Sequence, residues 1–585
     1  MNINSRDTIL TFLGIILYFI SIMFQGFDVC DEGFALSSYQ QVFNAPSSIE
    51  YNMLFWLTSI IGGAWYTILP AGGILSFRIL GAITIIATML ISRNILKPYI
   101  PNKHIIIALL MIMVSKGIGV VNFSYNTLSG FMSVLVLYYF FKGLINHKKA
   151  FIFLAGFCTG ISAFASLPTI TISALILLIP FYHIQCKQSS WKTNLRLMGY
   201  YCIGILVGIV LTLTIMHLLG HLEIFRKALS MISQHSIESD SNHNIFILVK
   251  KYIIDYVGVI KTGSILCVGT FILLIVQEQL SSKILTKICN VFIGIFYIFI
   301  LIQNPIFTTY FICIASCTIV AFNKNRSSQI RLIAFGALVT SIFLPIGTDP
   351  GIHSIGHTSI WIALPFFFFL LWDIKNIKLS YNNVYTNQFI SICRNRLKSI
   401  SIIFIFAFFV VKLYFIANGA YFDPGSRLNK TAKINSPLAQ HVHTTPERAY
   451  VCNIIISKLK EIVKPGEYLM VYDKMPMLHY LTNTKPYVYN PWIWAYDSFN
   501  FEQQLCRAES EIDILPIVLV HKFETIFSFS EPIYNYLDED RSETYLNRVK
   551  SHIALKTFLN RNNYSILWED IYYTIYSSEK KQNED

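Results

Sequence analysis

The sequence predicts a polytopic α-helical membrane protein of about thirteen spans, followed by a C-terminal α/β domain outside the membrane. Three observations predict this. The 585 residues are 54% hydrophobic and 14% charged, with mean hydropathy +0.52, against roughly 25% charged residues in a soluble protein. Apolar runs recur near 8–26, 74–92, 104–121, 127–145, 150–167, 169–185, 198–218, 255–276, 288–302, 305–322, 330–346, 358–372 and 400–417, most of them near the length a bilayer requires. From about Asn418 the composition becomes that of a soluble domain.

The first run extends from Ile9 to about Phe24, long for a signal sequence and without a small-residue cleavage site, so it reads as a retained helix. Orientation follows from the basic residues. With the N-terminus in the cytoplasm, inside loops carry Arg93, Lys97, Lys142, Lys148, Lys192, Arg196, Arg326, Arg331 and others. The outside loops carry only Lys116, Arg226, Lys227, Lys250 and Lys251, a bias of roughly four to one. The net charge of +13 therefore reads as membrane orientation and excludes a nucleic-acid partner. An odd number of spans places the C-terminal part outside. Ile-, Asn- and Lys-rich usage points to an AT-rich bacterial genome, so the expected location is the inner (plasma) membrane, with the C-terminal domain periplasmic or extracellular.

Tyr51 to Leu69 is apolar, but as a span it would invert every later loop. It carries Gly62-Gly63 and the aromatic residues Phe55, Trp56, Trp65 and Tyr66. It is expected as a re-entrant or surface-lying helix. Residues 34–43, apolar at 35, 36, 39, 42 and 43, are expected as a second helix lying on the membrane. The first outer loop, about 27–73, thus holds two such helices. Another is expected at His221–Leu229, before a polar stretch Ser236–Asn244 that could act as a lid.

Beyond Asn418, Thr444-Thr445-Pro446-Glu447 is a helix start and Pro465-Gly466 a break. Strands are expected at Glu467–Tyr472, Ile517–Val520 and Ser565–Tyr576. Helices are expected near 446–463, 476–481, 499–510 and 542–560. No glycine-rich phosphate loop follows a strand, so no nucleotide site is expected. The 11 cysteines have no metal spacing. A Cys452–Cys506 disulfide is open to an oxidising compartment.

The densest polar feature near the first span is Phe27-Asp28-Val29-Cys30-Asp31-Glu32-Gly33-Phe34. It puts three carboxylates where a helix emerges into water, and residues 33–77 hold no lysine or arginine. Adjacent Asp31 and Glu32 would point about 100° apart on a helix, so one reacting atom can meet only one of them. Asp28, one turn earlier, can share a side with Asp31. The competing reading is that all three are helix N-terminal charges. A second polar cluster, Gly347 to His357, holds Asp349, His353 and His357. It is open to three readings: a divalent metal site, a sugar or phosphate contact, or a polar turn. No cofactor is otherwise expected to be required.

Asp31-Glu32-Gly33-Phe34, with Tyr39 behind it and the first span before it, resembles the signature of the GT-C glycosyltransferases, which include the protein O-mannosyltransferases and the lipid A aminoarabinose transferases. The aromatic segment Tyr51–Leu69, Gly72-Gly73 and Arg78-Ile79-Leu80 extend the resemblance. It implies transfer of a sugar from a polyprenyl-phosphate carrier to a glycan, lipid or protein acceptor on the outer face. It implies Asp31 as general base, with Glu32 supporting it. Asp28, Tyr39, Arg78, Asn122, Tyr125, Asn126, His353 and His357 are the candidate substrate contacts. The chain departs from the pattern twice. The loop at Asn122–Asn126 lacks a second acid, and the first loop lacks a lysine for the donor phosphate, leaving Arg78, Lys116, Arg226, Lys227 and Lys261 as candidates. The alternatives are a glycolipid transporter or flippase, whose matching halves with broken helices are not seen, and a non-catalytic anchor for the C-terminal domain.

Overall fold

The computed structural model describes residues 5–115, 122–186, 190–235, 245–280, 282–348, 351–373, 384–420, 422–472, 474–522 and 543–578. The first half of the helical part contains α1 (Ser5–Met23), α2 (Asp31–Gln41), α3 (Trp56–Ile68), α4 (Gly73–Leu96), α5 (Asn102–Ser115), α6 (Tyr125–Ile145), α7 (Lys149–Ser162), α8 (Leu178–Gln185) and α9 (Trp191–Leu218). It continues through α10 (Leu222–His235), α11 (Ile245–Gln279), α12 (Lys283–Gln303), α13 (Pro305–Phe322), α14 (Ser328–Phe343), α15 (Gly356–Ser359), α16 (Leu364–Asp373) and α17 (Val384–Asn418).

Among the described residues, eight helices are long and apolar enough to cross a membrane: Pro70–Leu96, Tyr125–Ile145, Leu167–Gln185, Trp191–Leu218, Phe246–Gln277, Lys283–Gln303, Pro305–Phe322 and Ser399–Asn418. Shorter apolar helices lie over Leu13–Met23, Asn102–Ser115, Lys149–Ser162 and Ser328–Phe343, and α16 covers most of another expected run. The thirteen expected runs are thus helical, but fewer reach spanning length. One reason is visible after α7, where Ser162 ends the helix and Pro168 opens the next turn. The 104–121 run continues past α5 into 116–121, outside the described residues, as do Ser236–Asn244.

The segment expected as a re-entrant or surface helix divides into a 3-10 helix, Pro46–Phe55, and the thirteen-residue α3, too short to span. The expectation for 34–43 is corrected: α2 does not lie at a surface. Glu32, Gly33, Phe34, Leu36, Ser37, Ser38, Tyr39, Gln40 and Gln41 are all buried, between the helical part and the C-terminal domain. Gly62 makes this packing possible on one side, since a Cβ there would stand 2.3 Å from the Tyr39 ring.

The C-terminal part begins with two small hairpins, β1 (Gly419–Ala420) with β2 (Asp423–Pro424) and β3 (Ala432–Lys433) with β4 (His443–Thr444). Then come α18 (Pro446–Ile462), β5 (Tyr468–Tyr472), α19 (Met477–Thr482), β6 (Lys485–Pro486), α20 (Ser498–Glu511), β7 (Ile517–His521), α21 (Glu543–Arg561), β8 (Tyr564–Glu569) and β9 (Tyr573–Ser578). Thr445 caps α18, accepting from Arg448 N, with Pro446 in the first turn. The sheet runs β6-β5-β7-β9-β8. Its β5 is parallel to β6 and β7, while β9 is antiparallel to β7 and β8. The single last strand expected at 565–576 is instead a hairpin, because Asp570 Oδ1 accepts from the backbone N–H groups of Tyr572 (2.8 Å) and Tyr573 (2.6 Å) and turns the chain. Cys452 is buried and Cys506 exposed, and both are free thiols.

Candidate active site

The segment between α1 and α4, expected as the first outer loop, is held by the C-terminal domain at three places. Next to α1, the Phe27 N–H donates to Asp423 Oδ2 (2.7 Å), Gly26 N to His443 O (2.8 Å), and Arg448 Nη1 to Phe27 O (2.8 Å). Asp423 is itself buried with Lys430, 2.9 Å away. Along α2, Met477 N donates to Val29 O (3.1 Å), Ser37 Oγ to Pro476 O (3.0 Å) and Gln40 Nε2 to Tyr480 O (3.2 Å). Gly33 is required here, since a Cβ would meet Met477 N at 2.3 Å and its Cα at 2.6 Å. Further on, Arg507 grips Glu50 through both carboxylate oxygens, at 3.0 and 2.9 Å, and Tyr51 N bonds Tyr489 O.

The three carboxylates of the loop have three different fates. Asp28 is buried and caps α2: its oxygens accept from Cys30 N (2.8 Å) and Glu32 N (2.9 Å). Burial, with Asp31 and Glu32 nearby, holds its carboxyl well above the usual range. Glu32 is buried against Arg78, which donates Nε to Oε1 (2.9 Å) and Nη2 to Oε2 (2.7 Å). The remaining Arg78 hydrogens go to the carbonyls of Met23 (2.7 Å) and Gly26 (2.7 Å). Asp31 is half-buried and lines a cavity.

That cavity, ≈ 120 Å³, is lined by Asp31, Phe34, Ala35, Ser38, Tyr39, Tyr51, Asn52, Phe55, Thr58, Ser59, Asn122, Ser124, Tyr125, Asn126, Trp492 and Ala495. It exceeds the ~30 Å³ share of a single water several-fold, so it is a ligand-sized cleft. Its walls are aromatic. Phe55 stacks on Tyr125 (4.4 Å, 25°), and Phe34 meets Trp492 at 5.8 Å and Tyr51 at 6.1 Å. Asp31 is the one carboxylate among the lining residues, and none of them is a lysine or arginine.

The structure thus brings Asp31, Tyr39, Asn122, Tyr125 and Asn126 to one cleft. Tyr39 keeps its hydroxyl on Phe123 O (3.0 Å), and burial raises its pKa. Asp28, Glu32 and Arg78 do not line it. Glu32, expected as a catalytic group, and Asp28 and Arg78, expected as substrate contacts, are fully buried and engaged with protein partners, Arg78 in particular by Glu32 and backbone carbonyls. His353 and His357 also lie outside the lining. The His353 ring packs on Phe307 (4.7 Å), and burial lowers its pKa. His357 Nδ1 is 3.0 Å from Ser115 Oγ. Their loop reaches the cleft indirectly, through Asn126 Nδ2 to Ser354 Oγ (3.2 Å). Asp349, the third member of that cluster, lies outside the described residues. Among the described residues no three His, Cys, Asp or Glu side chains gather to hold a metal.

Of the remaining cations considered for the donor phosphate, Arg226 pairs with Glu223 (2.6 Å), Lys227 stands 3.9 Å from Glu511, and Lys261 is exposed on α11. Lys116 lies outside the described residues. Sequence reasoning missed the residues that form most of the wall, Phe34, Tyr51, Asn52, Phe55 and Trp492. The available signal was the aromatic density of the 51–66 segment and of Tyr487, Tyr489, Trp492, Trp494 and Tyr496.

No protein-family model matches the chain, and no curated relative matches it. Solved structures do. ArnT from Cupriavidus metallidurans bound to undecaprenyl phosphate matches over 98% of this chain and 98% of its own, at 10% identity and TM-score 0.49. The Archaeoglobus fulgidus oligosaccharyltransferase in complex with Zn and sulfate matches over 87% of this chain and 68% of its own, at 12% identity and TM-score 0.43. The same protein tethered with an acceptor peptide containing the NVT sequon matches over 94% and 72%, at 11% identity and TM-score 0.46. These are likenesses of overall shape, and no residue's role is carried over from them.

Proposed function

We propose that the chain is a membrane glycosyltransferase. It moves a sugar from a polyprenyl-phosphate carrier to an acceptor hydroxyl at the outer face of the membrane, with Asp31 as general base. The observation that carries this reading is the position of Asp31. Among the described residues it is the sole carboxylate lining an aromatic and amide-rich cleft, at the first residue of α2 and eight residues beyond the end of α1, while its neighbours Asp28 and Glu32 are buried in hydrogen bonds to the protein.

The chemistry is a single displacement. Asp31 takes the acceptor hydroxyl proton while the acceptor oxygen attacks the anomeric carbon. The bond from that carbon to the phosphate oxygen breaks, and the carrier phosphate leaves with the electron pair, inverting the configuration. Asn122, Ser124 and Asn126 are placed to orient hydroxyl groups around the reacting centre. A positioned base of this kind contributes about 10²–10⁴-fold. The test is transfer of radiolabelled sugar from membrane lipid carrier by the wild-type protein and by Asp31→Asn. Loss on that scale supports the assignment, and undiminished transfer in the variant sinks it.

A further inference from the structure

Two residues that line the cleft, one from each domain, carry a buried polar atom with no partner among the described residues. Asn52 is 2% exposed; its Nδ2 donates to Phe34 O (3.4 Å), while its Oδ1 accepts nothing. Trp492 Nε1 is buried and donates to nothing. Buried polar atoms are nearly always satisfied, and an exception on a cleft wall points to a ligand that completes it. One orphan is an acceptor and the other a donor, so the complement carries both functions. A hydroxyl does, and a polyol offers several. The apolar walls beside these atoms, Phe34 and the Trp492 ring, suit the C–H face of a sugar ring. An anion is disfavoured, because among the described residues the charged side chain lining the cleft is the Asp31 carboxylate and no lysine or arginine lines it.

We propose that Asn52 and Trp492 form a two-domain seat for a neutral sugar ring, in which Asn52 Oδ1 accepts from one hydroxyl and Trp492 Nε1 donates to another. This rests on the glycosyltransferase reading and sharpens it: the cleft holds a neutral sugar, and the phosphate of the donor stays outside. The sugar can come from the acceptor or from the transferred group. Because Trp492 belongs to the C-terminal domain, the seat exists only while that domain is docked on the first outer loop.

The test uses the full chain in lipid nanodiscs without donor. Saturation-transfer NMR titrations would use the methyl glycosides of a hexose, an N-acetylhexosamine and a pentose, with inorganic phosphate and a neutral capped tripeptide as competitors. At least one methyl glycoside is expected to bind saturably. Asn52→Ala and Trp492→Phe, which keeps the ring but lacks the N–H, are each expected to weaken it by about threefold to tenfold, the range for one neutral hydrogen bond. Thermal unfolding of both variants checks that they remain folded. A methyl glycoside that binds the protein while a polyprenyl-phosphate sugar competes for the same signal assigns the seat to the transferred sugar, and one that binds alongside it assigns the seat to the acceptor. The proposal is overturned if no glycoside binds, if both folded variants bind as tightly as wild type, or if phosphate or the tripeptide displaces the glycoside. Binding without any transfer activity would overturn the proposed function and leave the seat standing. Transfer activity with unaffected binding in the variants would do the reverse.

Discussion

The two sides of α2 face different surroundings. Asp31, Phe34, Ala35, Ser38 and Tyr39 turn to the cleft, where Asp31 remains half-buried. Glu32, Gly33, Ser37, Gln40 and Gln41 turn the other way, into Arg78 and the 476–484 segment, and every one of them is buried. Helical rotation alone separates adjacent carboxylates into these two environments. One side can do chemistry because the other is fully committed to holding it in place. Removing a charge should therefore abolish turnover on the first side and stability on the second.

The sharpest contrast is between Asp31→Asn and Glu32→Gln. The first should lower transfer by about 10²–10⁴-fold with little change in the unfolding temperature in detergent. The second leaves Arg78 buried without its counter-charge and should destabilise by about 3–5 kcal/mol, seen as loss of folded protein on size-exclusion chromatography and a lower Tm. If Glu32→Gln keeps wild-type stability, the division between the two sides is wrong. A smaller effect is expected for Gly33→Ala. A methyl group directed at the Met477 backbone must push α19 away, at about 1–3 kcal/mol, and should raise proteolytic sensitivity between the helical part and the C-terminal domain. A pH-dependent effect concerns Asp28. Its pKa is raised in the folded protein, so the folded state binds the proton more readily than the unfolded one. Stability is then highest at low pH and falls as pH rises through the interval between the unfolded value, about 3.9, and the raised folded value. In Asp28→Asn that slope should vanish from a series of thermal unfolding curves, and a slope unchanged by the substitution would show that another group titrates.

Much of this arrangement was legible. The apolar runs, the compositional break near Asn418, the strands β5 and β7 and the helices of the C-terminal domain follow from periodicity and turn residues, whereas the short strands β1 to β4 and β6 and the β8–β9 hairpin do not. Asp31, Tyr39, Asn122, Tyr125 and Asn126 were nameable through the resemblance of the first two loops to a known family, since residue spacing alone left the carboxylates equally readable as helix N-terminal charges. The Glu32–Arg78 pair was harder, since 46 residues separate its members. A lone arginine inside the apolar run at 74–92 was the clue: it needs a partner, and Glu32 lies close behind the first helix. The surroundings of α2 were not legible. Its alternation of apolar and polar residues fits a membrane surface as well as it fits a protein surface rich in backbone carbonyls, and pattern does not distinguish lipid headgroups from Pro476 and Tyr480 carbonyls. Trp492 escaped for the same reason, because docking between domains is decided by the shape of both.

The bonds that fasten the first outer loop have a consequence for the order of events in the cell. Phe27 waits for Asp423, 396 residues later, and Gln40 for the carbonyl of Tyr480, 440 residues later. The ribosome makes the loop long before it makes these partners. Throughout synthesis the loop has no C-terminal domain against which to order, and long-range contacts of this kind form late. A chain stopped in α17 would carry Asp31 without Trp492 and Ala495, the part of the cleft wall that the C-terminal domain supplies.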